Sequence, residues 1–325
     1  MAIGTKSDFI IYHEEFFGGL VEVLQQNADA FNQASNNAIR LVPMAHRGDY
    51  EKESFFKEIT ALVSRRDPTS TAAATDAAFV QGEQVSVKLS RKIGPVANTL
   101  DSFRKIATDP SEFSFLLGQQ YGQAVALDYL SSALTALVAA ITNQSALNYD
   151  ATGDTPATLT HTALVNGFST FGDAHDRIVC LVMHSKPYFD LIKQSIADKV
   201  FEVAGATIYS GTPATFGKPV IVTDDPALKT PGSPNTYSVL ALVEGAADVY
   251  ESEEREIASE LVTGKENLVL RIQGEYAFTL RLKGYTWDVT NGGANPTSSA
   301  LGTGTNWDLT ATDTKNTSGI RVKVQ

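Results

Sequence analysis

The chain has 325 residues, of which 43% are hydrophobic and 19% charged, a composition typical of a folded protein with enough apolar material for a large core. Its formal net charge of -11 means that the average surface repels nucleic acid and anionic lipid, which argues against a general nucleic-acid binder. The single cysteine, Cys180, excludes an internal disulfide, and the sequence shows neither a secretory leader nor an uninterrupted apolar run of membrane-spanning length.

The first half of the sequence predicts an amino-terminal arm, a long hairpin and a long helix. Apolar clusters and an asparagine-rich stretch in residues 1–50 predict a helical segment followed by an extended arm. In the next part Val85, Val87 and Leu89 alternate with polar residues, which predicts a strand with one solvent-exposed face. The small-residue tract 69–78 precedes that strand, so we expect a long hairpin that buries little by itself and needs a neighbour.

The strongest local signal is a helix that begins at 109–112 (DPSE) and continues to about Ile141. Three signals indicate where it starts: a capping aspartate, a proline in the first turn and a glutamate at the third position. The predicted helix is about 45 Å long, more than a compact domain needs to close its core. Its apolar stripe is predicted to contain the following residues: Phe113, Leu117, Tyr121, Ala124, Leu127, Leu130, Leu134, Leu137 and Ile141.

The second half of the sequence alternates between helix and strand patterns. A helix at about 159–171 precedes a strand at 178–183, and Pro187 starts another helix that we expect to stop at Gly205. Strands follow at 219–223, 237–243 and 320–324. The pattern predicts a mixed α/β domain in a chain of the α+β class.

Several phrases in this half resemble major capsid proteins of tailed bacteriophages. They are 171–176 (FGDAHD), 182–185 (VMHS), 217–224 (GKPVIVTD), 281–288 (RLKGYTWD), 295–297 (NPT) and 306–308 (NWD). Their order raises the specificity that each lacks alone. The resemblance covers nearly the whole chain and implies the capsid fold that tailed phages share with herpesviruses, with its arm, E-loop, spine helix, P-domain strands and A-domain.

The resemblance implies a division of the chain and a set of partners. The expected parts are an amino-terminal arm (1–50), the E-loop with flanking strands (51–105), the P-domain with the spine helix (106–155), the A-domain (156–260) and a return to P-domain strands (261–325). The expected partners are other copies of the chain, in hexamers and pentamers of an icosahedral shell, together with scaffold, portal and decoration proteins and non-specifically contacted DNA. No charged helical prodomain precedes the arm, so any scaffold is expected to be a separate protein or to be absent.

The resemblance also places the protein in the virion capsid, assembled in the host bacterial cytoplasm, with no membrane, cofactor or metal. Some members of the fold cross-link their subunits through a lysine of the E-loop. Lys88 and Lys92 lie in that region, but the sequence identifies no partner, so noncovalent assembly is expected.

Charge patterning suggests candidates for the contacts between subunits. The predicted E-loop carries a basic set, and an acidic run follows the strand at 237–243. The basic residues are Arg65, Arg66, Lys88, Arg91 and Lys92; the acidic residues are Glu251, Glu253, Glu254 and Glu256. Two solvated surfaces are the simpler interpretation, since exposed ion pairs contribute only about 0–1 kcal/mol. The sharper hypothesis is that the basic set meets an acidic surface of a neighbouring subunit.

A soluble α/β enzyme is the alternative from a different class, with a site near Asp173, His175 and His184. The supporting signals are thin, because no HExxH motif, paired cysteines or glycine-flanked serine accompanies them. No phosphate-binding glycine loop is present either. Asp224-Asp225-Pro226 fits a turn without a bound cation. A nanocompartment shell of the same fold, which would enclose protein cargo, is a third possibility.

Overall fold

The computed structural model describes residues 29, 31–33, 35–43, 48–57, 59, 63, 65–73, 76, 79–99, 110–197, 201–203, 206–208 and 216–325. Most of the predicted arm lies outside these ranges. The helices in the described residues are α1 (Pro110–Thr142), α2 (His161–Thr170), α3 (Ser185–Ala197), α4 (Val289–Gly292) and α5 (Ser298–Leu301). The strands are β1 (Ile39–Pro43), β2 (Tyr50–Phe56), β3 (Gln81–Thr99), β4 (Asn148–Asp150), β5 (Ile178–Met183), β6 (Phe201–Val203), β7 (Ala206–Ile208), β8 (Val220–Val222), β9 (Lys229–Thr230), β10 (Thr236–Val243), β11 (Ala247–Val262), β12 (Val269–Leu282), β13 (Tyr285–Trp287), β14 (Trp307–Leu309) and β15 (Gly319–Val324).

Helix α1 is continuous, as predicted, and its 33 residues span about 50 Å. Leu134, Leu137 and Ile141 of the predicted stripe are fully buried, but Ala124 and Leu127 are exposed, so the stripe is wrong in the middle of the helix. Burial in the second half does not follow one stripe, because this half packs against both main sheets and α5. Positions on every side, such as Ala136 and Ala140, are therefore fully buried as well.

The segment Leu117–Thr142 of α1 is long and apolar enough to cross a membrane by length and composition alone, with a mean hydropathy of 1.8. More than half of the tested window is buried inside the protein. A buried central helix of a folded domain passes the same test, and the contacts of α1 are of that kind.

A five-stranded sheet has the strand order β1-β11-β12-β3-β2. β1 runs parallel to β11, and the other neighbours are antiparallel. The prediction of one solvent-exposed face on β3 is wrong, because Ser86 and Lys88 are buried together with Val85, Val87 and Leu89. Farther along β3, the strand forms a bulge at Gly94 and Pro95, where a proline costs no ladder hydrogen bond.

A second sheet has the order β4-β15-β10-β5-β8, with β9 also paired to β10. Its central strands β5 and β10 are almost continuously apolar and largely buried, as expected for strands covered on both faces, whereas the buried strand β15 also carries Arg321 and Lys323. The predictions at 178–183, 219–223, 237–243 and 320–324 match β5, β8, β10 and β15 to within one residue at each end. Helix α3 begins at Ser185 and ends at Ala197, well before the predicted stop at Gly205, which lies outside the described residues.

The segment 268–287, which the resemblance places among the P-domain strands, forms two strands, β12 and β13, separated by a turn at Gly284 with a φ of 79°. β13 pairs with β14, which brings Trp287 and Trp307 together with ring centroids 4.8 Å apart. Both indole N–H groups donate to backbone carbonyls, of Gly293 and Leu301, at 3.0 Å. The two tryptophans lie at strand ends and close the core beside α1.

Two strands pair across the predicted divisions of the chain. β11 lies mostly within the predicted A-domain range, yet it hydrogen-bonds to β12 in the five-stranded sheet. β15 lies in the range predicted to return to the P-domain, yet it pairs with β10 and β4 in the second sheet. The division into five parts stays a prediction.

Candidate assembly surfaces

At its loop end, the hairpin of β2 and β3 is held together by a fit between a phenylalanine ring and a glycine. Phe55 on β2 is directly opposite Gly82 on β3. A Cβ atom at Gly82 would lie 2.6 Å from the Phe55 ring, so the ring occupies the space that a side chain would need. Beyond this pair the strands end, and residues 57–80, here called the hairpin loop, connect them.

The mouth of the hairpin loop carries an exposed aromatic pair. Phe56 and Phe79 face each other edge to face, with ring centroids 6.5 Å apart. Each ring is 79% exposed, and Val63 and Val80 are exposed as well. Large apolar side chains clustered on a surface usually mark a contact with a partner. The expectation that this section buries little by itself therefore agrees with the described part of the loop.

Arg65 and Arg66, in the hairpin loop, are exposed. Directly after them, the carboxylate of Asp67 accepts hydrogen bonds from the backbone N–H of Thr69 at 2.9 Å and from its hydroxyl at 2.7 Å. These bonds lower the pKa of Asp67, the backbone bond most strongly. A fixed turn thus follows two cationic side chains that are open to solvent.

Lys88, unlike the loop arginines, is engaged inside the subunit. Its side chain is only 9% exposed, and its ammonium group pairs with the carboxylate of Glu253 on β11. One basic and one acidic candidate thus pair within one chain. The ammonium group would have to leave Glu253 before it could contact a neighbour.

Arg91 joins β3 to the long helix. Its Nε lies 3.2 Å from Oδ2 of Asp128 on α1, and its guanidinium lies over the Phe278 ring at 5.7 Å. The Tyr276 hydroxyl donates to the same carboxylate oxygen at 2.7 Å. Burial, and next the bond to Asp128, raise the pKa of Tyr276. Arg91 therefore helps to fix the sheet on the helix.

The remaining charged candidates lie on or near the surface of β3 and β11. Lys92 is exposed and opposite Glu275 on β12, which in turn is opposite Glu256 on β11. Glu251 is half-buried, and the side chain of Glu254 lies outside the described set. The acidic run is thus part of a sixteen-residue strand that the sequence did not predict. No contact between subunits tests the nine candidates, and they stay predictions.

Sequence reasoning missed a row of charges that crosses the five-stranded sheet. Asp248 on β11 is opposite Arg40 on β1 and Arg281 on β12. Its side chain is 4% exposed and accepts from Nε of Arg40 at 2.6 Å and from Nη2 of Arg281 at 2.9 Å. Arg281 also reaches Glu53 on β2, with Nη1 2.6 Å from Oε2. We call these four residues the charge row.

The charge row has a recognisable sequence signal. The signal is a single charged residue between two apolar residues of a strand, and it occurs at Arg40, Asp248 and Arg281. The Tyr250 hydroxyl adds a bond to Oδ2 of Asp248 at 3.2 Å. Burial, and next the charge of Asp248, raise the pKa of Tyr250 to about 12. The arrangement links four of the five strands without any group that could act on a substrate.

The residues of the enzyme alternative do not form a common site. His175 precedes β5 and His184 follows it, so the strand separates them by about 20 Å. Asp173 is paired with Lys315, which lowers the pKa of this carboxyl group. Nδ1 of His184 lies 3.4 Å from Oδ1 of Asp224. Within the part of the chain that the structure describes, no three metal-ligating side chains converge.

Solved capsid structures are similar to this chain in fold. The capsid of Ralstonia phage GP4 matches with a TM-score of 0.50 at 10% identity, covering 89% of this chain and 87% of that one. The Cyanophage Pam1 capsid asymmetric unit matches with a TM-score of 0.49 at 11% identity, covering 73% and 81%. A structure from Mycobacterium phage Cain matches with a TM-score of 0.49 at 10% identity, covering 86% and 90%. The match to the capsid of Ralstonia phage GP4 shows a shared fold.

The family itself follows from the sequence. The family model described as Gp13-like, major capsid protein 13-like, matches residues 8–321. The chain belongs to this family and is a structural subunit of a phage capsid, located in the virion and acting by assembly with its own copies. No curated protein matches the chain. The predicted fold class and the resemblance to major capsid proteins are confirmed.

Proposed function

We propose that this chain forms the hexamers and pentamers of an icosahedral shell that encloses double-stranded DNA, and that it catalyses no reaction. The observation that carries the proposal is the hairpin of β2 and β3 in a capsid fold. Phe56 and Phe79 at its mouth are mostly exposed in the single subunit. Such a segment gains its contacts from neighbouring copies, so part of its folding energy is assembly energy.

The other partners follow from the same role. Scaffold and portal proteins guide assembly in the host bacterial cytoplasm, and decoration proteins bind the finished shell. The packaged DNA is contacted non-specifically. A net charge of -11 suits a container, because a strongly basic lining would bind DNA tightly and with a steep dependence on salt.

Arg65, Arg66 and Lys92 remain the basic candidates for contacts between subunits, because their side chains are exposed, whereas Lys88 and Arg91 are engaged within the subunit. Acidic residues of a neighbour would meet them. Each exposed pair contributes little, but the same pair repeats at every subunit of the shell.

Electron microscopy and light scattering of the purified full-length chain test the proposal. Shells, capsomers or tubes are expected, and a compact monomer that never assembles would contradict it. Nucleic acid extracted from particles purified from infected cells should be double-stranded DNA. Particles that contain a protein cargo and no nucleic acid would instead favour a nanocompartment.

The interface candidates need a matched control. Arg65→Glu/Arg66→Glu is expected to lower the yield of shells, whereas Lys229→Glu/Lys265→Glu changes the net charge equally at two exposed positions outside the hairpin. If both double variants assemble as well as the parent chain, the two arginines are not part of a contact between subunits.

A further inference from the structure

Arg321, on the central strand β15 of the second sheet, is a buried cation with an uncharged partner. The residue is only 9% exposed, and Asn148 and Leu240, which lie opposite it on the two neighbouring strands, carry no charge. Among the described residues, its guanidinium forms one hydrogen bond, from Nε to the hydroxyl oxygen of Ser238 at 2.9 Å. Burial lowers the pKa of this group. Because buried charges in proteins are normally paired with an opposite charge, Arg321 requires an explanation.

The carboxylate whose charge acts on Arg321 is that of Asp150 on β4, and it is already engaged. Its Oδ2 atom lies 3.1 Å from Nζ of Lys323. Its Oδ1 atom accepts hydrogen bonds from the backbone N–H of Thr152 at 3.0 Å and from the Thr152 hydroxyl at 2.6 Å. Two cations of β15 thus share one carboxylate, and that carboxylate bonds only to the lysine.

The charged groups of Arg321 and Lys323 lie close together. The two residues are two positions apart on β15, so their side chains are on the same face of the sheet. Ser238 on β10 is directly opposite Lys323, so the bond to Ser238 directs the Arg321 side chain along the strand toward Lys323. Neighbouring strands are about 5 Å apart, which places the guanidinium beside the Lys323 side chain. That side chain is 32% exposed, so this end of the face is open to solvent.

Three side chains supply hydrogen-bond donors at this point. The Arg321 guanidinium has N–H groups on both Nη atoms in addition to the one on Nε. The Ser238 hydroxyl accepts from Arg321, so its own proton remains to be donated. The Lys323 ammonium group has three donors, of which one points to Asp150. A phosphate group offers the negative charge and the several acceptor oxygens that this set complements, and the planar fork of an arginine fits it well.

We propose that Arg321, Ser238 and Lys323 form a binding site for a phosphate group. The site belongs to the single subunit and goes beyond the proposed role in building a shell. The same chemistry has two sources, a free phosphate ion and the backbone of the packaged DNA. Because Arg321 is recessed in the sheet, the free ion reaches the guanidinium more readily than a duplex does.

Isothermal titration calorimetry of the unassembled full-length chain tests the site, with inorganic phosphate as the probe in a chloride buffer of constant ionic strength. The parent chain should bind phosphate saturably. Arg321→Gln should weaken binding by about tenfold or more, because charge-assisted hydrogen bonds are lost. The matched control is Lys229→Gln, which removes an exposed cation from β9 of the same sheet and should bind phosphate like the parent.

A second variant covers the case in which Arg321→Gln does not fold, as judged by circular dichroism. Lys323→Gln changes a partly exposed side chain and should also weaken phosphate binding by about tenfold. A parent chain without saturable phosphate binding, or folded variants that bind as tightly as the parent, would overturn the site and leave the shell function intact.

A DNA duplex added to the same titration distinguishes the two sources of phosphate. If the duplex leaves phosphate binding unchanged, the free ion is the ligand of the site. If the duplex competes with phosphate in the parent chain, and if its own binding falls in Arg321→Gln, the DNA backbone is the ligand. Both results support a phosphate site at Arg321.

Discussion

The charge row gives the sharpest prediction about stability. Asp248 accepts from Arg40 at 2.6 and 3.0 Å and from Arg281 at 2.9 and 3.2 Å, and its side chain is 4% exposed. The variant Asp248→Asn keeps the shape but removes the charge, and it turns an amide N–H₂ group toward guanidinium donors. Two arginines would then lose the carboxylate that compensates them.

The expected loss follows from the burial of the partners. Breaking a buried ion pair from one side typically costs about 3–5 kcal/mol, because a charge is left uncompensated. The Arg40 side chain is 41% exposed, so water can replace part of its interaction, which moves the estimate to about 3 kcal/mol, the lower end of that range. The loss should persist at high salt, because buried pairs are screened much less than exposed ones.

Urea unfolding of the unassembled full-length chain, followed by circular dichroism at equal protein concentrations, measures the free energy of unfolding. Asp308→Asn is the matched control, because Asp308 is exposed on β14 and its change should stay within about 0.5 kcal/mol. A loss below about 1 kcal/mol in Asp248→Asn would refute the idea that the charge row holds the sheet together.

Two further predictions concern the second sheet. Gly319→Ala should lower the free energy of unfolding by about 3 kcal/mol or more, because its φ is 140° and the added Cβ would lie 2.1 Å from the Ala241 carbonyl oxygen; Gly153→Ala, with open space around it, should be nearly neutral in the same urea assay. Burial raises the pKa of the Cys180 thiol from 9.0 to about 11. The buried neutral thiol therefore contributes in full to the free energy of unfolding below pH 9, and this contribution is lost between pH 9 and 11. Relative to Cys180→Ala, the parent chain should lose up to about 3 kcal/mol over this interval, and parallel pH profiles of the two proteins would disprove the effect.

The sequence predicted those helices and strands whose start, end and apolar pattern can be recognised within the element itself. The start of α1 follows from a proline and a capping sequence within four residues, and β5 and β10 follow from short apolar runs between turn residues. The stripe of α1 was less predictable, because the second half of the helix is surrounded by partners distant in sequence. A periodicity can identify one buried face but not the number of neighbours.

Strand β11 shows what the sequence could not predict. Its four glutamates at 251, 253, 254 and 256 suggested a solvated run, whereas they lie in a sixteen-residue strand with two irregularities in its pairing. The partners that make it a strand are β1, about 200 residues earlier, and β12. The burial of Lys88 was missed for the same reason, since the Glu253 carboxylate that compensates it is 165 residues away.

The internal pairs change how the basic set contributes to assembly. Lys88 and Arg91 fix the hairpin base on β11 and α1, and the charge row connects β2 to the rest of the sheet through Glu53. Strands fixed in advance lower the entropy cost of binding at a contact made by the hairpin. The arginines that stay exposed, Arg65 and Arg66, are in the hairpin loop. Among the basic candidates, Lys88 and Arg91 therefore stabilise the subunit, whereas the exposed Arg65, Arg66 and Lys92 stay predictions for a contact with a neighbour.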